Sequence, residues 1–416
     1  MKTIFFIIII IIFVNYVHFQ DITNTLGVSG LFTIKDGGST FLSLNQSTGY
    51  LSLNRSFTLP YTTTPALGII YKGNDRFIHN FAPAGATGHN TFIGVNSGNF
   101  TMIAPGSINS SYNTGVGFQT LFTNTTGYRN TAVGYNSLRD NTSGFDNVAM
   151  GYFSLRENTT GASNNSFGNF TLQANTTGVY NSAFGFSSLF SNTTGYSNSV
   201  FGYQSLYSIT TGFWNSAFGY HSLVSNTTGT ANTAFGIVSL QYNTTGSNNT
   251  AIGYDAQVPS GTSNNQVRIG NTSVTYAGVQ VAWTVASDRK LKENILPSPL
   301  GLSFISKLNP VSYTRKNDES QKTEYGLIAQ EVEEVLKEEG AVNTGMITVT
   351  DNGDYELRYN DLLAPMIKAI QELKEENDKL KKDVEFLRDI NIRLAELELI
   401  LKQHVNDNLE IKSAGK

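Results

Sequence analysis

The chain of 416 residues contains no cysteine, so disulfides and thiolate metal sites are excluded. Its histidines are few and scattered, without the close spacing that zinc ligands show; they are His18, His79, His89, His221 and His404. Phosphate-loop and dinucleotide-binding fingerprints are also missing. We therefore expect no cofactor and no bound metal.

Charge is scarce through the middle of the chain. Residues 113–256 hold only seven charged side chains, which are Arg129, Arg139, Arg156, Asp140, Asp146, Glu157 and Asp255. Residues 287–416, in contrast, hold 19 of the 28 basic and 25 of the 32 acidic residues. The net charge of −4 gives no electrostatic footprint for nucleic acid. The two halves must therefore be built on different principles. A chain of this length fits two or three domains.

A 17-residue repeat fills the uncharged part. Glycine recurs at this period in two series, and fixed periods of this length indicate stacked supersecondary units. The first series is Gly117, Gly134, Gly151, Gly168, Gly185, Gly202, Gly219, Gly236 and Gly253, and the second runs from Gly127 to Gly246. Residues 113–256 are therefore the repeat domain, and residues 257–286 are a connector.

Each repeat is too short for a helical hairpin. The recurring Asn-Thr-Thr-Gly is typical of a turn, and the segment Ala132–Tyr135 suits a strand. Asn181, Asn198 and Asn215 recur at one position and could form hydrogen-bonded ladders between coils. We predict a mainly β fold, either a β-solenoid or a trimeric β-fibre, followed by a small α+β domain and a coiled-coil helix.

One chain offers few large apolar residues per unit, which suggests that a core needs neighbouring chains. The repeats loosely resemble the heads of trimeric autotransporter adhesins, and this likeness favours a homotrimer. A monomeric solenoid is the alternative. Fifteen Asn-x-Ser/Thr sequons precede Ser287. They could carry glycans or could follow simply from the turn chemistry of the repeat.

The N-terminus has a lysine at position 2 and an unbroken apolar run from Ile4 to Val14, as in a secretory signal peptide over residues 1–20. The alternative is an uncleaved membrane anchor formed by residues 4–19. Either reading predicts a protein that is secreted or displayed at the cell surface. Residues 21–112 are expected to form a β-rich region, and a cell-surface or glycan ligand could bind there or along the repeats.

The C-terminal part reads as a compact domain over residues 287–362. Leu300–Leu308 and Leu327–Leu336 read as short helices, and Met346–Val349 and Tyr355–Leu357 flank a hairpin turn. Residues 363–402 then carry apolar side chains spaced by four and three, which predicts a coiled coil before a tail at 403–416. Asn377 and Asn391 fall at positions that fix register.

Ser287 and Lys292 lie five residues apart at the start of this domain. A serine needs a base to become a nucleophile. A lysine can be that base when burial lowers its pKa, because burial disfavours the charged ammonium. Four blocks around and after them occur in one order: Ser287–Ile295, Leu308–Tyr313, Tyr325–Val332 and Tyr359–Leu363. On these blocks the chain resembles the peptidase S74 family, the intramolecular chaperone domains of phage tailspikes and fibres.

The resemblance implies that Ser287 is the nucleophile, Lys292 the base, and the bond between Ala286 and Ser287 the site of a single self-cleavage. It also implies three copies in the assembly. The first hypothesis is therefore a secreted or surface trimeric fibre with a self-cleaving chaperone domain. The alternative is an adhesin whose C-terminal domain only trimerises. A glycan-degrading enzyme is the third, and it lacks the paired carboxylates that glycoside hydrolysis needs, because Asp36, Asp75 and Asp140 are isolated in sequence.

Overall fold

The computed structural model describes residues 31–36, 39–45, 47–48, 50–53, 59, 61–62, 64 and 67–413. The signal segment predicted at residues 1–20 lies outside them. The first unit of the chain contains one antiparallel sheet of three strands in sequence order. Its strands are β1 (Leu31–Asp36), β2 (Ser39–Asn45) and β3 (Tyr50–Leu53).

The second unit begins with three strands that pair antiparallel and continues as a parallel stack. The antiparallel strands are β4 (Ile70–Lys72), β5 (Asp75–His79) and β6 (Thr91–Ile93). From β6 onward each strand pairs in parallel with the next: β7 (Thr114–Val116), β8 (Thr131–Val133), β9 (Val148–Met150), β10 (Asn165–Phe167), β11 (Ser182–Phe184), β12 (Ser199–Phe201), β13 (Ser216–Phe218), β14 (Thr233–Phe235), β15 (Thr250–Ile252) and β16 (Val267–Ile269). The predicted β-solenoid is confirmed, with about nine turns.

Each coil points two small or medium residues into the stack. The middle residue of each strand from β6 to β15, such as Ala183 or Val200, is buried, while the residues on either side of it face outward. A leucine six residues further on is fully buried in every coil from Leu121 to Leu240. Neighbouring coils cover both positions, so one chain buries this core by itself. The expectation that a single chain is too thin to do so was wrong, because alanine, serine and asparagine fill much of the interior.

Asparagines form two ladders inside the stack, and the first of them was predicted. In the first ladder, which runs through Asn181, Asn198 and Asn215, each Oδ1 accepts from the backbone N–H and the Nδ2 of the next coil at 3.0–3.1 Å. In the second, the Asn of each Asn-Thr-Thr-Gly turn donates to its counterpart one coil earlier and to the glycine carbonyl of its own turn. Buried amides are therefore satisfied by their equivalents in neighbouring coils.

Seven of the sequons have their asparagine in the second ladder, which the turns form and which we call the turn ladder. Their asparagines are buried, with at most 1% of each residue exposed. They are Asn124, Asn141, Asn158, Asn175, Asn192, Asn226 and Asn243. A glycan on any of these side chains is incompatible with the folded coil, so these sequons follow from the structural need of the turn.

Ile209 occupies one place in this turn ladder and is fully buried there. Asn192, one coil earlier, consequently has a buried Oδ1 without a hydrogen-bond partner. Asn226, one coil later, donates from its Nδ2 to the carbonyl of Gly229 at 3.0 Å and not to the preceding coil, although its Oδ1 still accepts from Asn243. A single aliphatic residue thus interrupts an otherwise polar column.

The first coil is closed by aromatic and cationic side chains. His79 is buried between Phe92 and Phe100, with ring centroids 4.9 and 4.7 Å away. The guanidinium of Arg76 lies over the ring of Phe100 at 4.7 Å and donates to the carbonyl of Gly98 at 2.6 Å. Burial is the main cause that lowers the pKa of His79 to about 4.

The C-terminal domain has two antiparallel hairpins and two short helices around one small core. The elements are β17 (Val311–Tyr313), β18 (Glu324–Gly326), β19 (Ile347–Val349), β20 (Tyr355–Leu357), α1 (Leu302–Lys307) and α2 (Ala329–Glu338). The two predicted helices and the predicted hairpin are confirmed to within a few residues. The core consists of Leu300, Phe304, Val332, Leu336, Met346 and Leu362.

A single long helix, α3 (Leu363–Ser413), ends the described chain and packs against α1 at its start. Glu372 of α3 accepts a hydrogen bond from the backbone N–H of Leu302 at 2.6 Å, and this bond lowers the pKa of the Glu372 carboxyl. The apolar heptad positions of α3 are exposed, for example Ile370, Leu380 and Leu387. Among the described residues, no helix has the length and the apolar character needed to cross a membrane.

The β19–β20 hairpin touches the end of the solenoid. The backbone N–H of Asp351 donates to the carbonyl of Pro259 at 2.7 Å, and the N–H of Gly261 donates back to the Asp351 carboxylate at 3.0 Å. Arg268 of β16 pairs with Glu356 of β20 at 2.6 Å. The hairpin is thereby held to the last coil.

Candidate functional site

Ser287 and Lys292 meet at the start of the C-terminal domain. The Nζ of Lys292 donates a hydrogen bond to the Oγ of Ser287 at 2.7 Å. This distance suits proton transfer between a nucleophile and its base. The spacing of five residues therefore brings the two groups together, while their catalytic roles remain predictions.

A short 3₁₀ turn (Arg289–Leu291) produces this contact. Asp288 caps the turn, because its carboxylate accepts from the backbone N–H of Lys290 at 3.0 Å. The turn closes when the N–H of Lys292 donates to the carbonyl of Arg289 at 3.1 Å. The chain thus reverses between Ser287 and Lys292, and the lysine side chain reaches back to the serine.

Asp288 also forms an ion pair with Lys290, whose Nζ lies 3.1 Å from the carboxylate. The hydrogen bonds from the backbone and the side chain of Lys290 lower the pKa of Asp288. The carboxylate therefore stays ionised and keeps its cap near neutral pH. Sequence reasoning assigned no role to Asp288, although an Asp one residue before a short turn is a recognisable capping signal.

The dyad formed by Ser287 and Lys292 lies in an exposed stretch of this single chain. Ala286, Ser287 and Lys292 are all exposed, as is the segment that precedes them. Four apolar side chains alternate along that segment and are exposed in turn: Val279, Val281, Trp283 and Val285. Alternation of this kind is typical of a strand with one apolar face.

The other motif blocks form the body of the domain. Leu308–Tyr313 leads into β17, which pairs with β18 through Tyr313 and Glu324. Arg315 pairs with Glu324 across this hairpin at 2.9 Å, and this contact is the largest cause that lowers the pKa of Glu324.

The third and fourth blocks meet through one side chain. The N–H of Leu327 donates to the Oη of Tyr359 at 2.8 Å. Two blocks that are far apart in sequence are therefore joined directly.

Sequence reasoning missed the residues that hold the hairpin to the solenoid. It read residues 351–354 only as a turn, and the signal that Asp351 also accepts from Gly261 is not local. Arg268 carried a weak signal, because it is a charged residue at the inward position of a strand where alanine is usual. Its ion pair with Glu356 explains the exception.

Three carboxylates in and before the repeats each contact another side chain. Asp140 pairs with Arg139 at 2.8 Å, and Asp146 pairs with Arg129 at 2.6 Å. Asp75 accepts from Asn96 at 3.0 Å. Within the part of the chain that the structure describes, no group of three or more histidine and acidic residues is arranged to hold a metal.

Comparison with protein families decides how the C-terminal part is classified. Residues 287–341 match the Peptidase_S74 family, chaperone of endosialidase. This confirms the resemblance drawn from the motif blocks and begins at Ser287 itself. The match covers the dyad, β17, β18 and α2, and it leaves out the repeats and α3. Searches of curated proteins and of solved structures returned no match to the chain.

Proposed function

We propose that this protein is a trimeric β-fibre of the tailspike type whose S74 chaperone domain promotes assembly and then cleaves the chain between Ala286 and Ser287. The observation that carries the proposal is the 2.7 Å contact between Lys292 Nζ and Ser287 Oγ, at the first residues of the family match. The proposal includes export of the protein, either free or anchored by residues 4–19.

The cleavage is a serine–lysine reaction at the chain's own peptide bond. Lys292 takes the Oγ proton while Ser287 Oγ attacks the carbonyl carbon of Ala286, or one held nearby. The C–N bond breaks, Lys292 returns the proton to the leaving nitrogen, and an ester remains on Oγ. Water then hydrolyses that ester, giving a carboxylate at Ala286 and regenerating the Ser287 hydroxyl. Each chain reacts once, so the reaction requires no substrate pocket.

Assembly of several copies buries Ser287 and Lys292, which are exposed in a single chain. A lysine becomes a base when burial disfavours its charged form, and contact between copies provides that burial. The exposed heptad positions of α3 favour such contact, because apolar a and d positions pack against those of partner helices. Cleavage then follows assembly rather than preceding it.

Assembly before cleavage helps the solenoid to fold. Parallel stacks built from non-local pairings form slowly and expose edges that aggregate. A C-terminal coiled coil raises the effective concentration of the chains while the coils form. Loss of the chaperone domain afterwards leaves a fibre that is kinetically trapped.

The decisive experiment is the mass of the denatured protein after expression. Wild type is expected to give a C-terminal fragment that begins at Ser287, while Ser287→Ala and Lys292→Met each give one intact chain. Lys290→Met is the matched control, because Lys290 lies two residues before Lys292 and its Nζ pairs with Asp288. This control should cleave as wild type does.

A non-cleaving adhesin with a retained trimerisation domain is the second candidate. The full exposure of Ser287 and Lys292 favours it, since an exposed lysine lacks the burial that general-base action needs. Intact wild-type chain in an assembled protein would establish this candidate and end the autoproteolytic one.

A further inference from the structure

An uninterrupted apolar column runs along the outside of the solenoid. It consists of the third residue of every strand from β7 to β16, and we call it the apolar ladder: Val116, Val133, Met150, Phe167, Phe184, Phe201, Phe218, Phe235, Ile252 and Ile269. Six of these ten side chains are exposed and four are half-buried. With a spacing of about 4.8 Å between coils, the column is roughly 43 Å long.

The apolar ladder carries no charge at any coil. Two other outward columns differ, since one of them contains Arg129, Asp146 and Trp214 at equivalent positions, and another contains Arg139 and Arg156. A contiguous exposed apolar surface of this length is uncommon on a monomer and marks an interaction site.

A second column lies two residues further along each coil and reinforces the first. It is aromatic at most coils and again has no charge: Phe118, Tyr135, Tyr152, Asn169, Phe186, Tyr203, Tyr220, Ile237 and Tyr254. Together the two columns make a surface broad enough for a protein partner.

Three rings at the centre of the apolar ladder cover one another's faces. Phe167 and Phe184 are stacked with centroids 4.8 Å apart, and Phe184 and Phe201 are 5.7 Å apart. Sugars bind aromatic rings through the ring face, and the faces between these three rings are occupied by their neighbours. The exposed ring edges are suited instead to apolar packing against another protein surface.

A second copy of this chain fits this surface better than an unrelated partner does. A partner must stay in contact over about 43 Å with the same rise at every coil, and another solenoid of the same sequence has that rise. Two uncharged columns also meet without repulsion between like charges.

Two further apolar surfaces of the same chain are exposed at successive places along it. They are the alternating face from Val279 to Val285 and the heptad seam of α3, which begins at Leu363. A heptad seam packs on another heptad helix, and the described part of the chain contains no other helix of comparable length. Copies joined in parallel by α3 carry equivalent coils at equal height.

We propose that the apolar ladder is the surface through which copies of this chain contact one another along the solenoid, with the ladders of the copies facing a common axis. This inference rests on the proposed function, from which it takes the self-association of the chain. It adds which face of the solenoid is buried in that assembly.

The chain has no cysteine, so a single introduced thiol tests the proposal in the full-length protein. Phe235→Cys places it on the ladder and Trp214→Cys places it on a charged column, and both residues are 60% exposed. Both variants carry Ser287→Ala to keep the chain whole. The measurements are the assembled mass by sedimentation and the product of a short bis-maleimide cross-linker on a denaturing gel.

The expected result is that most Phe235→Cys chains are cross-linked to one another, while Trp214→Cys chains stay single at the same assembled mass. Phe201→Cys, a second ladder position, should behave as Phe235→Cys does. If the protein is assembled but the ladder thiols stay single, or if the Trp214→Cys thiol cross-links equally, the ladder is not the contact and the proposed fibre stands. A monomeric mass overturns the assembly itself and the ladder with it.

Discussion

Ile209 stands one coil after Asn192, and the buried Oδ1 of Asn192 has no hydrogen-bond partner. Elsewhere in the same ladder an asparagine fills that place and donates to its predecessor, as Asn175 does to Asn158 at 2.8 Å. Ile209 therefore occupies a buried position that asparagine fills in other coils of this ladder.

This relationship predicts that Ile209→Asn is tolerated. An asparagine there can donate to Asn192 and accept from Asn226, and two hydrogen bonds worth about 1 kcal/mol each offset most of the lost apolar burial. We expect the free energy of unfolding to stay within about 1 kcal/mol of wild type. Leu206→Asn is the control, because Leu206 is buried outside the asparagine columns, and its loss should reach about 3 kcal/mol or more. Equal losses in urea unfolding would contradict the ladder account.

The first asparagine ladder should be far less tolerant. Asn181 is fully buried, accepts from Asn198 and donates to Asn164 and Gly195. Asn181→Ala leaves several buried groups unpaired, at a cost of about 3 kcal/mol or more. Asn169→Ala removes an exposed side chain that accepts one bond from Tyr152, and it should cost less than about 1 kcal/mol. Thermal unfolding of both variants checks the difference, and similar shifts would show that the ladder contributes little.

Gly202 has φ of 147° and lies against the next coil, so a methyl group there would overlap the carbonyl oxygen of Gly219. Gly202→Ala must separate two coils as well as strain the backbone, and we expect a loss above about 3 kcal/mol. Gly340, with φ of 71°, has open space around its Cβ position. Gly340→Ala therefore carries backbone strain alone, about 1–2 kcal/mol. Comparable midpoints in denaturant for the two variants would rule out the steric explanation.

Acid should weaken the first coil through His79. Its Nε2 lies 2.8 Å from the carbonyl of Ser97, and its Nδ1 accepts from the N–H of Phe81, which suits the neutral ring. Burial lowers its pKa from 6.5 to about 4 in the folded chain. Between those values the unfolded chain binds more protons, so stability falls as the pH drops from 6.5 towards 4, by about 3 kcal/mol from this residue.

His79→Gln removes that titration, so its unfolding midpoint should depend less on pH across this window than the wild-type midpoint does. His89→Gln is the control, because His89 is exposed. Identical pH profiles for wild type and His79→Gln would show that another group is responsible.

Periodic features were the most predictable from sequence. The repeat of Gly185 and Gly202 marked the coil, and the recurrence of Asn181 and Asn198 marked the ladder, because each coil imposes the same local demand on the same position. The turn between Ser287 and Lys292 was also within reach, since its cap and closure lie within five residues of each other.

Features that depend on distant parts of the chain were not predictable. The ion pair between Arg268 and Glu356 joins elements that are 88 positions apart. Burial was misjudged for a different reason. Side chains such as Asn181 are ordinarily counted as surface or turn residues, and Ala183 adds little apolar area, yet stacking on both sides covers both completely.

The 17-residue repeat also allows the length of the solenoid to change without a change in the structure of the remaining coils. Apart from the coil that contains Ile209, interior coils meet their neighbours through the same strand pairing and equivalent asparagine bonds, so removing or duplicating one whole unit leaves both ends intact. Insertions that are not multiples of 17 break both ladders at once. Among variants of this gene we therefore expect length changes in whole coils, each altering the reach of the solenoid by about 4.8 Å.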